Sequence, residues 1–319
     1  MKKSVWKAVV LLVLLVFLIS CKGRVASGED PRNTEAILKE VQSGIKGVEI
    51  EILPNYPPDI LYDQNELIAI IDVKNKGNHN LEAQECFVQI TGFDPNIIGS
   101  IFGVPQSCAG GIETLEGKNV FNTGGGFSQL EFSSSNVLLP DDILEYNPTL
   151  NFVTCYNYET KANPQICVDP AFYQVSTEQK TCRPSDVSMS GGHGAPVAVS
   201  RVNVDMVGNK AIFSIDIVNQ GSGKVLHPDT DVRSCADNAQ LKHTDLDKVR
   251  FNVNLVGGSS TDCKPNDGLV RLSNGRGKIV CTSQVDAPSA FETPLKVSLQ
   301  YNYIQSQQKK IKIIRTPTG

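Results

Sequence analysis

The sequence predicts an all-β protein made of two tandem antiparallel β-sandwiches, on three observations. Apolar and polar residues alternate at period two in Val48-Glu49-Ile50-Glu51-Ile52, Val202-Asn203-Val204-Asp205-Met206, Phe251-Asn252-Val253-Asn254-Leu255 and Lys310-Ile311-Lys312-Ile313, the mark of strands with one buried face. No long helical period interrupts these strands, which removes support for a parallel α/β fold. The chain also repeats itself. Ile70-Ile71-Asp72-Val73-Lys74-Asn75-Lys76-Gly77 matches Ser214-Ile215-Asp216-Ile217-Val218-Asn219-Gln220-Gly221, and Tyr156-Asn157-Tyr158 matches Tyr301-Asn302-Tyr303. Asn75 lies 81 residues before Tyr156, and Asn219 lies 82 before Tyr301. Two copies of one β domain follow, at 46–184 and 197–316, joined by a glycine-rich linker at 185–196.

Ahead of the first copy, Lys2, Lys3 and Lys7 head an apolar run at 8–19 that ends in Ser20-Cys21. A spanning helix needs about 20 apolar residues, so this run suits the core of a signal peptide (1–20) better. Leu18-Ile19-Ser20-Cys21 resembles the lipobox of prokaryotic lipoproteins. That resemblance implies cleavage before Cys21 and lipidation of its thiol. An uncleaved N-terminal anchor, or plain secretion with Cys21 in a disulfide, are the alternatives; all three put the body outside the cytoplasm. Residues 21–33 read as a flexible tether. A short helix is expected at 34–45, with Thr34 as its cap and Ile37, Leu38, Val41 and Ile45 on one face. Near the C-terminus, Asn274-Gly275 gives the turn signal of a hairpin.

The chain has nine cysteines. With Cys21 set aside an even set remains, without any Cys-x-x-Cys, which argues for disulfides and against zinc ribbons or redox dithiols. Local spacing favours Cys263–Cys281, Cys167–Cys182 and Cys86–Cys108, leaving Cys155 with Cys235. Each bridge is expected to add about 2–4 kcal/mol by restricting the unfolded chain.

Removal of Lys2, Lys3 and Lys7 with the leader takes the formal net charge from −4 to −7. An acidic body argues against nucleic-acid binding and against adsorption on anionic lipid. The one Asn-x-Thr sequon, Asn147-Pro148-Thr149, is blocked by its proline.

Catalytic and metal-binding patterns are not found. His79, His193, His227 and His243 lack metal-ligand spacing, and His193 reads as a solvated linker residue. No Gly-x-Ser-x-Gly elbow is present. Asp229, Asp231 and Asp237 read as a solvated acidic loop rather than a calcium site, and Gly124-Gly125-Gly126 as a flexible loop rather than a phosphate cradle. Tyr156, Tyr158, Tyr301 and Tyr303 read as core, with each hydroxyl tied to backbone. No cofactor is expected.

The copies differ most in one loop. Gly92 to Cys108 spans 16 residues, against 6 from Gly257 to Cys263. The longer loop carries Ile97, Ile98, Ile101 and Phe102, which must cap the first sandwich or meet a partner.

Asp72-Val73-Lys74-Asn75-Lys76-Gly77 and its counterpart from Asp216 to Gly221 resemble the tandem Ig-like or CARDB-like modules of archaeal and bacterial cell-surface proteins. Leu53-Pro54-Asn55-Tyr56-Pro57-Pro58-Asp59 is similar to archaeal secreted proteins of unassigned role. Such modules share a fold and not an activity. The expectation is a non-catalytic, membrane-tethered extracytoplasmic binding or adhesion lipoprotein with a protein or surface-polymer partner. The alternatives are a structural or accessory subunit of an envelope assembly and, last, an extracellular enzyme.

Overall fold

A computed structural model describes residues 31–135, 137–174, 179–234, 236 and 241–317. The leader, Cys21 and most of the tether, together with Cys235 and Asp237, lie outside the described residues. No helix among the described residues is long and apolar enough to cross a membrane. The short helix runs Pro31–Val41, with proline in its first turn, where no N–H is required. Of the apolar face expected there, Val41 is buried, whereas Leu38 and Ile45 are largely exposed.

The fold is all-β. Each copy contributes five principal strands in the same order: β1 (Val48–Ile52), β2 (Leu67–Asn75), β3 (Cys86–Thr91), β4 (Phe127–Ser134) and β5 (Thr149–Ala162), then β6 (Val197–Val207), β7 (Lys210–Asn219), β8 (Lys248–Leu255), β9 (Arg276–Gln284) and β10 (Phe291–Lys310). In the first copy β2 lies between β1 and β4; in the second β7 lies between β6 and β9. These small sheets pack on a shared layer in which β8, β10, β5 and β3 are successive neighbours. The alternating pattern explains the layering. Leu67, Ala69, Ile71 and Val73 of β2 point inward and are fully buried, as are Phe213, Ile215 and Ile217 of β7. Both copies feed one continuous hydrophobic core, and residues 38–319 form one compact unit.

The copies are interlocked rather than strung on a linker. β5 and β10 pair antiparallel over their full overlap, Thr149↔Lys310 to Ala162↔Val297. The register centres on Asn157↔Asn302, flanked by Tyr156↔Tyr303 and Tyr158↔Tyr301. Tyr156 is the repeat counterpart of Tyr301, and Tyr158 that of Tyr303. The two tyrosine pairs therefore exchange with each other and Asn157↔Asn302 maps onto itself, the rule for a two-fold interface. The tails obey the same relation: Val168 of the first copy pairs with Phe291 of the second, and Ile313 of the second pairs with Tyr146 of the first. The expected linker is structured as well. Val187–Ser188 pairs with β6, the Gly44 N–H donates to the Gly191 carbonyl at 2.6 Å, and Asn78 Nδ2 donates to the His193 carbonyl at 2.8 Å.

Disulfides Cys86–Cys108, Cys167–Cys182 and Cys263–Cys281 are present. Cys155 is also disulfide-bonded, and Cys235, its expected partner, is outside the described residues. These bridges place the body in an oxidising, extracytoplasmic compartment.

Candidate functional site

Four tyrosines mark the junction of the copies. Tyr156, Tyr158, Tyr301 and Tyr303 are at most 1% exposed. Their rings form a closed quartet, with centroids 5.5 Å apart for Tyr156–Tyr158, 5.6 Å for Tyr156–Tyr303, 6.5 Å for Tyr158–Tyr301 and 6.4 Å for Tyr301–Tyr303. Two of them lock the repeated Asn-x-Gly turns. Tyr158 Oη donates to Asn75 Oδ1 at 3.1 Å, and Tyr303 Oη donates to Asn219 Oδ1 at 3.1 Å. Each asparagine also closes its own turn, Asn75 Nδ2 on the His79 carbonyl at 2.7 Å and Asn219 Nδ2 on the Gly223 carbonyl at 3.0 Å. The motif that reveals the repeat in the sequence is therefore a folding device.

The other two tyrosines part company. Tyr301 Oη accepts from the Val197 N–H at 3.2 Å and shares a 3.0 Å bond with Thr160 Oγ1, which also donates to the Val197 carbonyl at 2.7 Å. At the two-fold-related place beside Tyr156, Thr160 is replaced by Gln305 of the second copy, whose Nε2 donates to the Val48 carbonyl. The Tyr156 hydroxyl, by contrast, is buried without a hydrogen-bond partner.

A cleft of about 380 Å³ opens at this point. Its walls are the β1 edge with residues 45–47, the turn Gln220-Gly221-Ser222, and β10 from Gln305 to Gln307, over Tyr156 and Tyr303. Both copies are needed to form it. The atom Gln220 Oε1, also in the wall, is buried without a donor. The two-fold-related position is lined differently. There Asn78, the counterpart of Ser222, bonds to the His193 carbonyl. The His193 ring, at the place of Gly44, is buried and reaches the Val199 carbonyl at 3.0 Å. Gln305, Ser222 and Gly44 stand where the other half has Thr160, Asn78 and His193. Tyr301→Phe is expected to cost about 1–2 kcal/mol, because the Val197 N–H and the Thr160 hydroxyl lose a partner. Tyr156→Phe is expected to be neutral or slightly stabilising, since it deletes a hydroxyl that has no acceptor. Urea unfolding of the two variants checks this difference.

His193 is corrected from a solvated residue to a buried one. Burial lowers the pKa of His193 and of His79 from the usual 6.5. Both imidazoles stay neutral in the fold at pH values where the unfolded chain is protonated, so acidification favours unfolding. The urea midpoint should fall from pH 7 to pH 5, and fall less in His193→Gln.

The long loop of the first copy is also corrected. Ile97, Ile98 and Phe102 are core residues at 4%, 0% and 0% exposure, and only Ile101 faces solvent, at 68%. The turn Pro95–Ile98, capped by Asp94, aims both isoleucines inward, and Phe102 packs edge-on against Phe93 at 5.5 Å. A partner contact through all four side chains is ruled out because three of them cap the sandwich. Phe102→Ala should cost about 3–4 kcal/mol in thermal or urea unfolding, in the range for an emptied core phenylalanine.

The acidic loop is held by internal pairs. Asp229 takes a bidentate bond from Arg250 at 3.0 and 2.7 Å, and Asp231 accepts from the Arg233 N–H at 3.1 Å and from Ser234 Oγ at 2.9 Å. Among the described residues no group of three His, Cys, Asp or Glu side chains is placed to hold a metal ion. Gly126 is tied into the structure, donating to the Glu116 carbonyl at 2.7 Å and accepting from the Asn75 N–H at 2.9 Å.

Fold and bridges together define the class: an all-β, disulfide-braced extracytoplasmic protein. No known protein family and no curated protein matches the chain. Among solved structures, the secreted serine protease VesC from Vibrio cholerae is similar at 12% identity and a TM-score of 0.20, over 87% of this chain and 52% of that one. The chain spans about half the length of that protein, and a likeness of this size carries no inference about fold or activity.

Proposed function

We propose that this protein is a non-catalytic binding lipoprotein of the cell surface, held at the membrane through Cys21. The observation that carries the reading is the junction cleft. It is built from both copies, with glutamines, serines and tyrosines set among apolar Ile45, Val48, Ile50 and Pro196. Its only charged wall residues, Lys46 and Glu49, pair with each other at 2.6 Å. A wall of neutral hydrogen-bonding groups suits recognition of a ligand rather than acid–base chemistry, which calls for titratable groups tuned by their surroundings.

The tether supplies the membrane affinity that an acidic body lacks. Cys21→Ser is expected to release the protein into the medium, as read by fractionation. If the variant stays in the membrane fraction, the apolar leader is an uncleaved anchor and lipidation is excluded. The binding role is tested by passing envelope extract over the immobilised soluble form, Lys22 onward. Retention of an envelope component that Ser222→Trp abolishes is the expected result; no retention defeats the reading.

A further inference from the structure

We infer that the junction cleft takes a neutral saccharide, a ligand class that rests on the binding role proposed above. Two buried atoms fix the chemistry. The Tyr156 hydroxyl needs an acceptor, and Gln220 Oε1 needs a donor. A sugar hydroxyl supplies both functions from one group. The rest of the wall offers the Gln305 and Gln307 amides and the Ser222 and Ser306 hydroxyls beside apolar Val48, Ile50 and Pro196, over the Tyr303 side chain. Amides and hydroxyls around an aromatic floor meet a surface that alternates hydroxyls with C–H patches.

The other ligand classes fit less well. An extended peptide would join the β1 edge through backbone bonds. The outward carbonyls there are already taken: Val48 accepts from Gln305 Nε2, and Ile50 accepts from Gln307 Nε2 at 2.9 Å. A charged ligand finds no free counter-charge, because Lys46 and Glu49 neutralise each other. A water beside either orphaned atom occupies about 30 Å³, a small part of the cleft. The space lies within the range of about 300–1,000 Å³ that suits small-ligand sites.

The two halves differ in the residues at this position. At the two-fold-related position the His193 ring, the Asn78 amide and the Thr160 hydroxyl are held by internal hydrogen bonds, and Tyr301 Oη, the counterpart of Tyr156 Oη, has its partners. The repeat supplies the frame, and the differences at Gln305, Ser222 and Gly44 distinguish the two related positions.

The test applies the soluble form to an array of neutral and acidic glycans, then titrates neutral hits by calorimetry. Binding of neutral saccharides is expected, weakened about tenfold in Tyr156→Phe, the loss of about one hydrogen bond. Ser222→Trp should abolish it, with the unfolding midpoint of Tyr156→Phe unchanged. The proposal is overturned if no neutral glycan binds, if only acidic glycans bind, if binding is indifferent to both substitutions, or if the cleft holds ordered water only. Failure of the broader role looks different. If Ser222→Trp abolishes capture of an envelope protein while the array is blank, the ligand class is wrong and the binding role stands. A blank array together with no envelope capture removes both.

Discussion

Gly77→Ala is expected to cost about 5 kcal/mol, enough to unfold a domain whose net stability is of the usual 5–15 kcal/mol. Gly77 sits in the Asn-x-Gly turn, where the chain passes directly over the Tyr158 hydroxyl. A Cβ there would fall inside the contact distance of that hydroxyl and of the Gly194 carbonyl, and 2.8 Å from the Lys46 carbonyl. Two of the three obstacles are backbone, and the third is the hydroxyl that fixes Asn75. Relief in any direction moves either the junction segment or the lock. Overpacking of this kind usually costs 1–3 kcal/mol where side chains can give way, and here they cannot. Gly221→Ala, at the equivalent place, meets the Tyr303 hydroxyl and Pro196 Cβ at 2.8 Å, both side-chain atoms, and should cost about half as much. Gly44→Ala meets nothing within 4 Å; only its φ of +103° opposes it, worth about 1–2 kcal/mol. Chemical denaturation of the three variants checks the order, and equal losses would show that the turn does not act through its tyrosine.

The sequence shows the repeat, because Asn75, Gly77, Tyr156 and Tyr158 recur as Asn219, Gly221, Tyr301 and Tyr303. Period two shows the strands, since burial on one face leaves an alternating trace. It does not show that β5 and β10 are neighbours. Alternation reports which face of a strand is buried, and a strand edge leaves no such trace. Two copies joined by glycines read equally as separate beads. The inward positions of Ile97, Ile98 and Phe102 leave no sequence trace for a related reason. A short helical turn followed by a tighter one has no sustained period, so inward and outward positions are not marked. The cleft is less legible still. It arises where the copies differ, at Gln305, Ser222 and Gly44, and single differences between repeats acquire meaning only once the mirror partners Thr160, Asn78 and His193 are seen in place.

Splitting the chain between the copies gives the other large effect. Residues 46–184 or 197–317 made alone are expected not to yield stable monomers. Separation removes the ladder from Thr149↔Lys310 to Ala162↔Val297, in which antiparallel pairing supplies about one hydrogen bond per residue pair. At a net 0.5–1.5 kcal/mol for each bond, the loss rivals the net stability of an ordinary domain. It also opens the tyrosine quartet and strips both tails of their partner strands. Because the junction obeys a two-fold rule, each half carries a surface complementary to its own copy: Asn302 would face Asn302 of a second chain where Asn157 stands now. Isolated halves should therefore self-associate, and the mixed halves should form a one-to-one complex that outcompetes either homodimer. The tails favour the mixed pair, since Val168 and Ile313 each have a distinct fitted partner in Phe291 and Tyr146. Light scattering on separate and co-expressed halves reads this directly. Two well-folded monomers would mean that the copies are independent sandwiches after all, and the cleft between them would then lose the rigid frame that its ligand chemistry requires.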